Sequence, residues 1–195
     1  MDVVKQFYDR EDYPPFPHIK TRRLHELNWL LPRLEGQGKS LIDIGCGDGA
    51  LVNCLYHLTD LELHACDFSV KLMRGVNPRI PTFEYDCRKP GALPMTDITV
   101  CAAVIPYLFE DSEVDALVQQ ISSPLLFMRA PCGNDERVDS YSEALRAEYK
   151  SRYRSIEQVE ALLREHYREV EADRVFPDEI ESKFGTKQWY FTARR

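Results

Sequence analysis

Between Leu41 and Ala50 the chain reads LIDIGCGDGA, an apolar run followed by Gly45, Gly47 and Gly49 at alternate positions among Asp43, Cys46 and Asp48. Glycines at that spacing let a backbone turn sharply and approach a ligand with no Cβ in the way. N–H groups exposed at the start of a following helix favour an anionic group such as a carboxylate. Gly45, Gly47 and Ala50 also satisfy G-x-G-x-x-A, the spacing of a dinucleotide-binding turn. Charge separates the two readings. Asp48 beside a pyrophosphate repels it in a low-dielectric crevice, whereas a ligand with an ammonium and no phosphate meets no such objection.

Two more acids stand at corresponding places. LELHACD ends in Asp67, where a carboxylate can accept hydrogen bonds from both hydroxyls of a ribose, and Phe68 follows with a ring face for a purine. Further on, Asp86 and Cys87 close another short apolar stretch, and Asp86 can accept from an exocyclic amino group. For proton transfer the weak candidates are His18, whose ordinary pKa suits a base, and Tyr107, which follows Pro106.

These residues need strand ends to hold them. SLIDIG, LELHACD, TFEYD, DITVCAAVI and PLLFMRA read as strands; GALVNCLYHL, SVKLMRGV, EDSEVDALVQQI and SIEQVEALLREH read as helices between them. Ser155 and Gln158 are spaced as a capping box. Before the first strand, DYPPFPHIK is too proline-rich for a helix, and a helix is expected from His18 to Leu31 with Leu24, Leu27, Leu30 and Leu31 as its stripe, closed by Pro32. Two strands end the chain, REVEADRVF and KQWYFTARR, joined only by PDEIESKFGT, which forces an antiparallel pair. Alternating strands and helices predict one doubly wound α/β domain over 1–195, with a mostly parallel sheet, helices on both faces and an antiparallel last strand.

Composition narrows the class. With 195 residues, 44% apolar, the chain suits one globular core. No run of about 18 apolar residues suggests a membrane span, and the N-terminus lacks the basic-then-apolar order of a secretory signal, so a cytoplasmic location is expected. Cys46, Cys54, Cys66, Cys87, Cys101 and Cys132 form no Cys-x-x-Cys pair and read as reduced thiols; the five histidines show no metal-ligand spacing, so no metal is expected. A net charge of −7 argues against a long nucleic-acid surface, although Lys20, Arg22 and Arg23 form a local basic cluster.

LIDIGCGDGALV, HACDFSVKLM, EYDC and DITVCAAVIPYLFED resemble, in order and spacing, successive motifs of the class I S-adenosylmethionine-dependent methyltransferases. The motifs span 39–111. The resemblance implies a seven-stranded sheet with its last strand reversed, S-adenosylmethionine as methyl donor and S-adenosylhomocysteine as product. It implies that Asp43 orders the glycine loop and meets the methionine ammonium, and that Gly45, Cys46, Gly47, Asp48 and Gly49 form that loop. Asp67 then takes the ribose, Phe68 packs on the adenine, and Asp86 beside Cys87 accepts from its amino group. Cys101, Ala102 and Ala103 lie beside the methionine portion, and Arg23 or Arg22 reaches its carboxylate. Pro106 stands where many relatives carry histidine, and no Asn-Pro-Pro-aromatic motif follows the fourth strand.

The acceptor pocket is expected from three segments. These are the N-terminal segment 1–35 with Tyr8, Asp9, Asp12, Tyr13, Phe16 and His18, the IPYLF loop with Tyr107, and the polar stretch 129–155 with Arg129, Tyr141, Tyr149 and Tyr153. The three tyrosines stand near helical spacing, as the packing face of a lid or as substrate contacts. Arg129 ends a buried strand and needs a partner, either an anionic acceptor or a structural carboxylate. A small polar acceptor such as a sugar or glycosylated metabolite is expected, O-methylated rather than N-methylated, on a monomer or homodimer. Alternatives are a protein or RNA acceptor, a non-catalytic donor-binding partner module, and a nicotinamide-dependent reductase.

Overall fold

The computed structural model describes residues 3–10, 19–89, 91–133, 136–142, 147–181 and 187–195. Its strands are β1 Ser40–Ile44, β2 Glu62–Asp67, β3 Thr82–Glu84, β4 Ile98–Ala102, β5 Leu125–Cys132, β6 Arg137–Ser142, β7 Ala147–Tyr153, β8 Glu169–Arg174 and β9 Lys187–Arg194. Seven of them form one sheet in the order β3-β2-β1-β4-β5-β9-β8. Neighbours from β3 to β5 run parallel, and β9 lies antiparallel to both β5 and β8. The expected sheet, with its last strand reversed, is the one observed.

Both faces are covered because the central strands are apolar on both. In β1, Leu41 packs into one core and Ile42 and Ile44 into the other. Helices α2 (Ile19–Leu34) and α3 (Val52–Leu58) cover the Leu41 face with Leu27, Leu30, Leu34, Val52 and Leu55. Helices α4 (Asp111–Gln120) and α5 (Ile156–Arg164) cover the other with Val114, Leu117, Val118, Val159 and Leu163. Each fully buried side chain of this kind contributes about 1.5–3 kcal/mol. The capping box starts α5 as expected: the Gln158 N–H donates to Ser155 Oγ at 3.2 Å, and the Ser155 N–H donates to Gln158 Oε1 at 2.8 Å. Two short α-helices, α1 (Val3–Tyr8) and α6 (Asp178–Glu181), and two 3-10 turns, Leu72–Gly75 and Ile105–Tyr107, complete the described elements.

Four expectations change. Helix α2 does not stop at Pro32 but runs to Leu34. A proline in the last turn forfeits a single bond, to the carbonyl of the exposed Asn28, and burial of Leu34 offsets that. Its stripe also turns away from Leu24, which is 59% exposed, and continues from Leu27 to Glu26 and Arg23. SVKLMRGV forms only a 3-10 turn, Leu72–Gly75; a Cβ on Gly75 would lie 2.5 Å from the Asp48 carbonyl oxygen, so this turn is pressed against the glycine turn. The described residues of the 129–155 stretch form no helix: they finish β5 and then build the separate hairpin β6–β7, so the tyrosine spacing misled. Finally, α1 precedes the proline-rich stretch and had no strong signal of its own.

Candidate functional site

From β1 the chain winds outward to β2 and β3, then crosses to β4 on the other side of β1. The carboxyl ends of β1 and β4 form the topological switch point, the place where sheets of this order form their ligand crevice. The glycine turn stands there, with φ of +71° at Gly45, +55° at Gly47 and +78° at Gly49. The Gly45 and Cys46 N–H groups donate to the Cys66 carbonyl at 2.8 and 3.0 Å, tying the turn to β2. A Cβ on Gly45 would collide with Val104 Cγ2 at 2.2 Å, whereas one on Gly47 would meet nothing within 4 Å. Gly45 is therefore closed in by protein, and Gly47 faces open space. Across the crevice Ala103 has φ +63°, a left-handed conformation costing a non-glycine residue about 1–2 kcal/mol, and its N–H donates to the Arg129 carbonyl at 2.7 Å. Strain of this kind collects where a structure holds a functional surface.

The acids divide into buried and exposed. Asp67 is buried and accepts from the Gly47 N–H at 2.9 Å and the Ser69 N–H at 2.8 Å, one on each oxygen. Burial raises its pKa, against those two hydrogen bonds. Asp43, 2% exposed, has an Oδ2 with no hydrogen-bond partner among the described residues. Burial pushes its carboxyl up to about 7; Glu26 and Asp67 add to the effect, and Arg23 and Arg129 oppose it. Asp48 is exposed and accepts from the Ala50 N–H at 3.1 Å. The weakly screened acids of the crevice are thus Asp43 and Asp67 rather than Asp48. Asp86 is gripped by Arg88 at 2.9 and 3.1 Å and by Lys89 at 3.1 Å; against burial, these hold its carboxyl down to about 2. Burial keeps the thiols of Cys46, Cys66 and Cys101 protonated and pushes Cys87 up to about 12, so none is a ready nucleophile.

Below Asp43, on the α2 face, lies a polar cluster that sequence reasoning missed. Glu26, 2% exposed, accepts from Arg129 Nε at 2.9 Å, from the Tyr190 hydroxyl at 2.5 Å and from Arg23 Nη1. Burial would raise its pKa, but Arg129, Arg23 and Tyr190 hold it below the ordinary value. Arg129 also donates to Gln188 Oε1 at 2.7 Å. The partner of Arg129 is thus a structural carboxylate. Glu26 gave no signal because the two partners that bury it, Arg129 and Tyr190, stand 103 and 164 positions away, and its third, Arg23 one helical turn earlier, makes only an ordinary surface pair in sequence.

Over the crevice sits α1. The Tyr8 hydroxyl is hydrogen-bonded to that of Tyr107, with their rings edge-on at 5.4 Å, and Tyr8 meets Phe68 edge-on at 6.1 Å. Lys5 Nζ donates to the Phe68 carbonyl at 2.9 Å, and Lys71 Nζ to the carbonyls of Asp9 and Arg10 at 2.9 and 2.6 Å. Burial pushes the Tyr107 phenol up to about 12. The loop carrying Tyr107 is clamped by the buried Arg154, also unforeseen, which donates to the carbonyls of Ile105 at 3.1 Å and Leu108 at 2.9 Å and pairs with Asp111 at 2.8 Å. Asp12, Tyr13, Phe16 and His18 lie outside the described residues, as do the side chains of Tyr141 and Tyr149, whose backbones lie in β6 and β7 of the hairpin.

No protein-family model matches the chain, and no curated protein matches its sequence significantly. Solved structures do match. The PH0226 protein of Pyrococcus horikoshii superposes with a TM-score of 0.68 at 15% identity, over 95% of this chain and 98% of that one. An S-adenosylmethionine-dependent methyltransferase of Mesorhizobium loti gives 0.63 at 16% identity, over 88% and 98%. The chain has the class I methyltransferase fold. A magnesium protoporphyrin IX methyltransferase of Synechocystis, solved with S-adenosylhomocysteine, shares that fold at a TM-score of 0.64 and 14% identity, over 91% of this chain and 84% of the other. In this class I fold the turn after β1 and the ends of β2 and β4 converge on one crevice. No described helix is long and apolar enough to cross a membrane.

Proposed function

We propose that the protein binds S-adenosylmethionine in the crevice at the ends of β1, β2 and β4 and transfers its methyl group to a small polar acceptor. The observation that carries this reading is Asp43: a buried carboxyl oxygen without a donor, beside a glycine turn that is open at Gly47. An α-ammonium supplies the missing donor and the missing charge. Asp67 keeps further acceptor capacity for ribose hydroxyls beyond its two backbone bonds. Phe68, held by Lys5 at its carbonyl, offers an aromatic surface next to them. Asp86, with Arg88 and Lys89 already on it, is the weakest member of the set.

Bound there, the donor supplies a methyl group on a sulfonium, which leaves as a neutral thioether. The chain then has to orient the acceptor and keep water out. Helix α1, latched to Phe68, Lys71 and Tyr107, is a roof suited to exclusion. On this reading the paired Tyr8 and Tyr107 hydroxyls orient an acceptor hydroxyl. A general base is needed only if the nucleophile is protonated at working pH. The aromatic and hydroxyl character of this roof supports a small polar acceptor and O-methylation, a site built within one chain supports action by a monomer or homodimer, and the free cysteines support a reducing compartment such as the cytoplasm.

The test is incubation with methyl-labelled S-adenosylmethionine and separate pools of metabolites, sugars, peptides and RNA. Label in the metabolite or sugar pool is expected. Label only in peptide or RNA would overturn the acceptor assignment, and donor binding without transfer to any pool would favour a non-catalytic partner module.

A further inference from the structure

We propose that donor binding displaces a proton from Asp43, and that the buried Glu26 governs how firmly that proton is held. This rests on the donor-binding reading above.

The groups facing Asp43 come from every element around it. Helix α2 contributes Arg23 and Glu26, β2 contributes Asp67 and Cys66, the glycine turn Cys46, β4 Cys101, and β5 Arg129. Tyr190 of β9 acts through its bond to Glu26, and Arg22 faces Arg129 and Glu181 instead. Two carboxyl groups and two guanidiniums thus surround Asp43. The guanidiniums of Arg23 and Arg129, however, both donate to Glu26. Three hydrogen bonds converge on Glu26, counting Tyr190, while Asp43 Oδ2 receives none. An ionised carboxylate in that position is costly, so the neutral acid is favoured until a cationic donor arrives. An arriving ammonium reverses the balance, because it brings a positive charge and a donor to the oxygen that lacks both. The Asp43 O–H bond then breaks, and the proton leaves to solvent.

The sign follows. Below about pH 7 the free protein holds the Asp43 proton, so binding must expel it and affinity falls with acidity. The limit is about tenfold per pH unit. Glu26→Gln removes a negative neighbour and loosens two guanidiniums toward Asp43; both changes favour the carboxylate, so the pH midpoint of binding moves down. Asp43→Asn has no proton to lose.

The test is calorimetric titration of the intact chain with S-adenosylhomocysteine between about pH 5.5 and pH 7.5, in two buffers of different ionisation enthalpy. The wild type is expected to release close to one proton per ligand at the acid end, with the count falling as pH rises. Asp43→Asn should abolish the release, and Glu26→Gln should move the curve to lower pH. If Glu26→Gln does not fold, the wild-type count and Asp43→Asn still decide. Binding with no proton exchange and a flat pH profile overturns the proposal, as does release that survives in Asp43→Asn, which would assign the proton to Asp67. Failure to bind at any pH is a different result: it overturns the donor-binding reading itself.

Discussion

Asp67 accepts a hydrogen bond from the Gly47 N–H at 2.9 Å, so the acid that closes β2 holds the turn that closes β1. One side chain thereby orders the loop and presents acceptors in the same crevice. Asp67→Ala is expected to weaken S-adenosylhomocysteine binding by about 1–3 kcal/mol, the range for losing hydrogen bonds to a charged group. Equilibrium dialysis checks this. Unchanged affinity would leave Asp67 as the cap of the Ser69 turn and nothing more.

Gly45 and Gly47 have similar backbone angles but different surroundings, so their alanine variants should fail differently. Gly47→Ala carries only the left-handed strain of about 1–2 kcal/mol, yet places a methyl in the open space assigned to the donor. Gly45→Ala adds the collision with Val104. Urea unfolding should show Gly45→Ala as the less stable protein, and binding should be lost in Gly47→Ala while its fold persists.

Ala103 offers the opposite experiment. At φ +63° glycine is at ease, so Ala103→Gly should relieve strain and raise stability by about 0.5 kcal/mol after the added chain entropy of the unfolded state. Urea melts measure it. A loss of stability would show that the Ala103 methyl packs more usefully than its backbone is strained.

How much of this was legible in advance depended on the distance over which each residue acts. Asp43, the glycine turn and Asp67 sit at strand ends that their own apolar runs announce, and the alternation of those runs with helices led to the mostly parallel sheet with its last strand reversed. Glu26 reads as a solvent-facing residue of an amphipathic helix, because its partners Arg129 and Tyr190 arrive from β5 and β9. Arg154 is equally silent, since its work is done on carbonyls of a loop more than forty positions earlier. In the hairpin β6–β7, the second strand alternates Glu148, Lys150 and Arg152 with Ala147, Tyr149, Ser151 and Tyr153, a period of two that was there to be read, and the four-residue step from Tyr149 to Tyr153 fits a helix as well as a strand.

Asp43 should also leave a mark on stability. A carboxyl whose pKa is raised on folding binds more protons folded than unfolded between its ordinary value and about 7, so stability declines as pH rises through that window. Apo Asp43→Asn should therefore be more stable than the wild type near pH 8, by up to about 4 kcal/mol, with the gap closing towards pH 4. Urea unfolding at both pH values reads the difference. A gap that is constant with pH would mean that Asp43 does not titrate in the window.

The hydroxyl pair of Tyr8 and Tyr107 is expected to hold α1 down. Tyr8→Phe and Tyr107→Phe should each cost about 0.5–1.5 kcal/mol of that closure. Amide hydrogen exchange in α1 should quicken in both variants, with donor affinity changed less than methyl turnover. Equal exchange in wild type and variants would show that Lys5 and Lys71 suffice to hold the roof.

Thermal unfolding with S-adenosylhomocysteine or NADH added separately is the most direct measurement of the central claim, that this crevice takes a methyl donor and not a dinucleotide. At about a hundred times its dissociation constant a ligand adds about 2.7 kcal/mol, or roughly 5–10 °C in a chain of this size. S-adenosylhomocysteine should raise the Tm by that amount and NADH should leave it unchanged. A rise with NADH and none with S-adenosylhomocysteine would contradict the assignment.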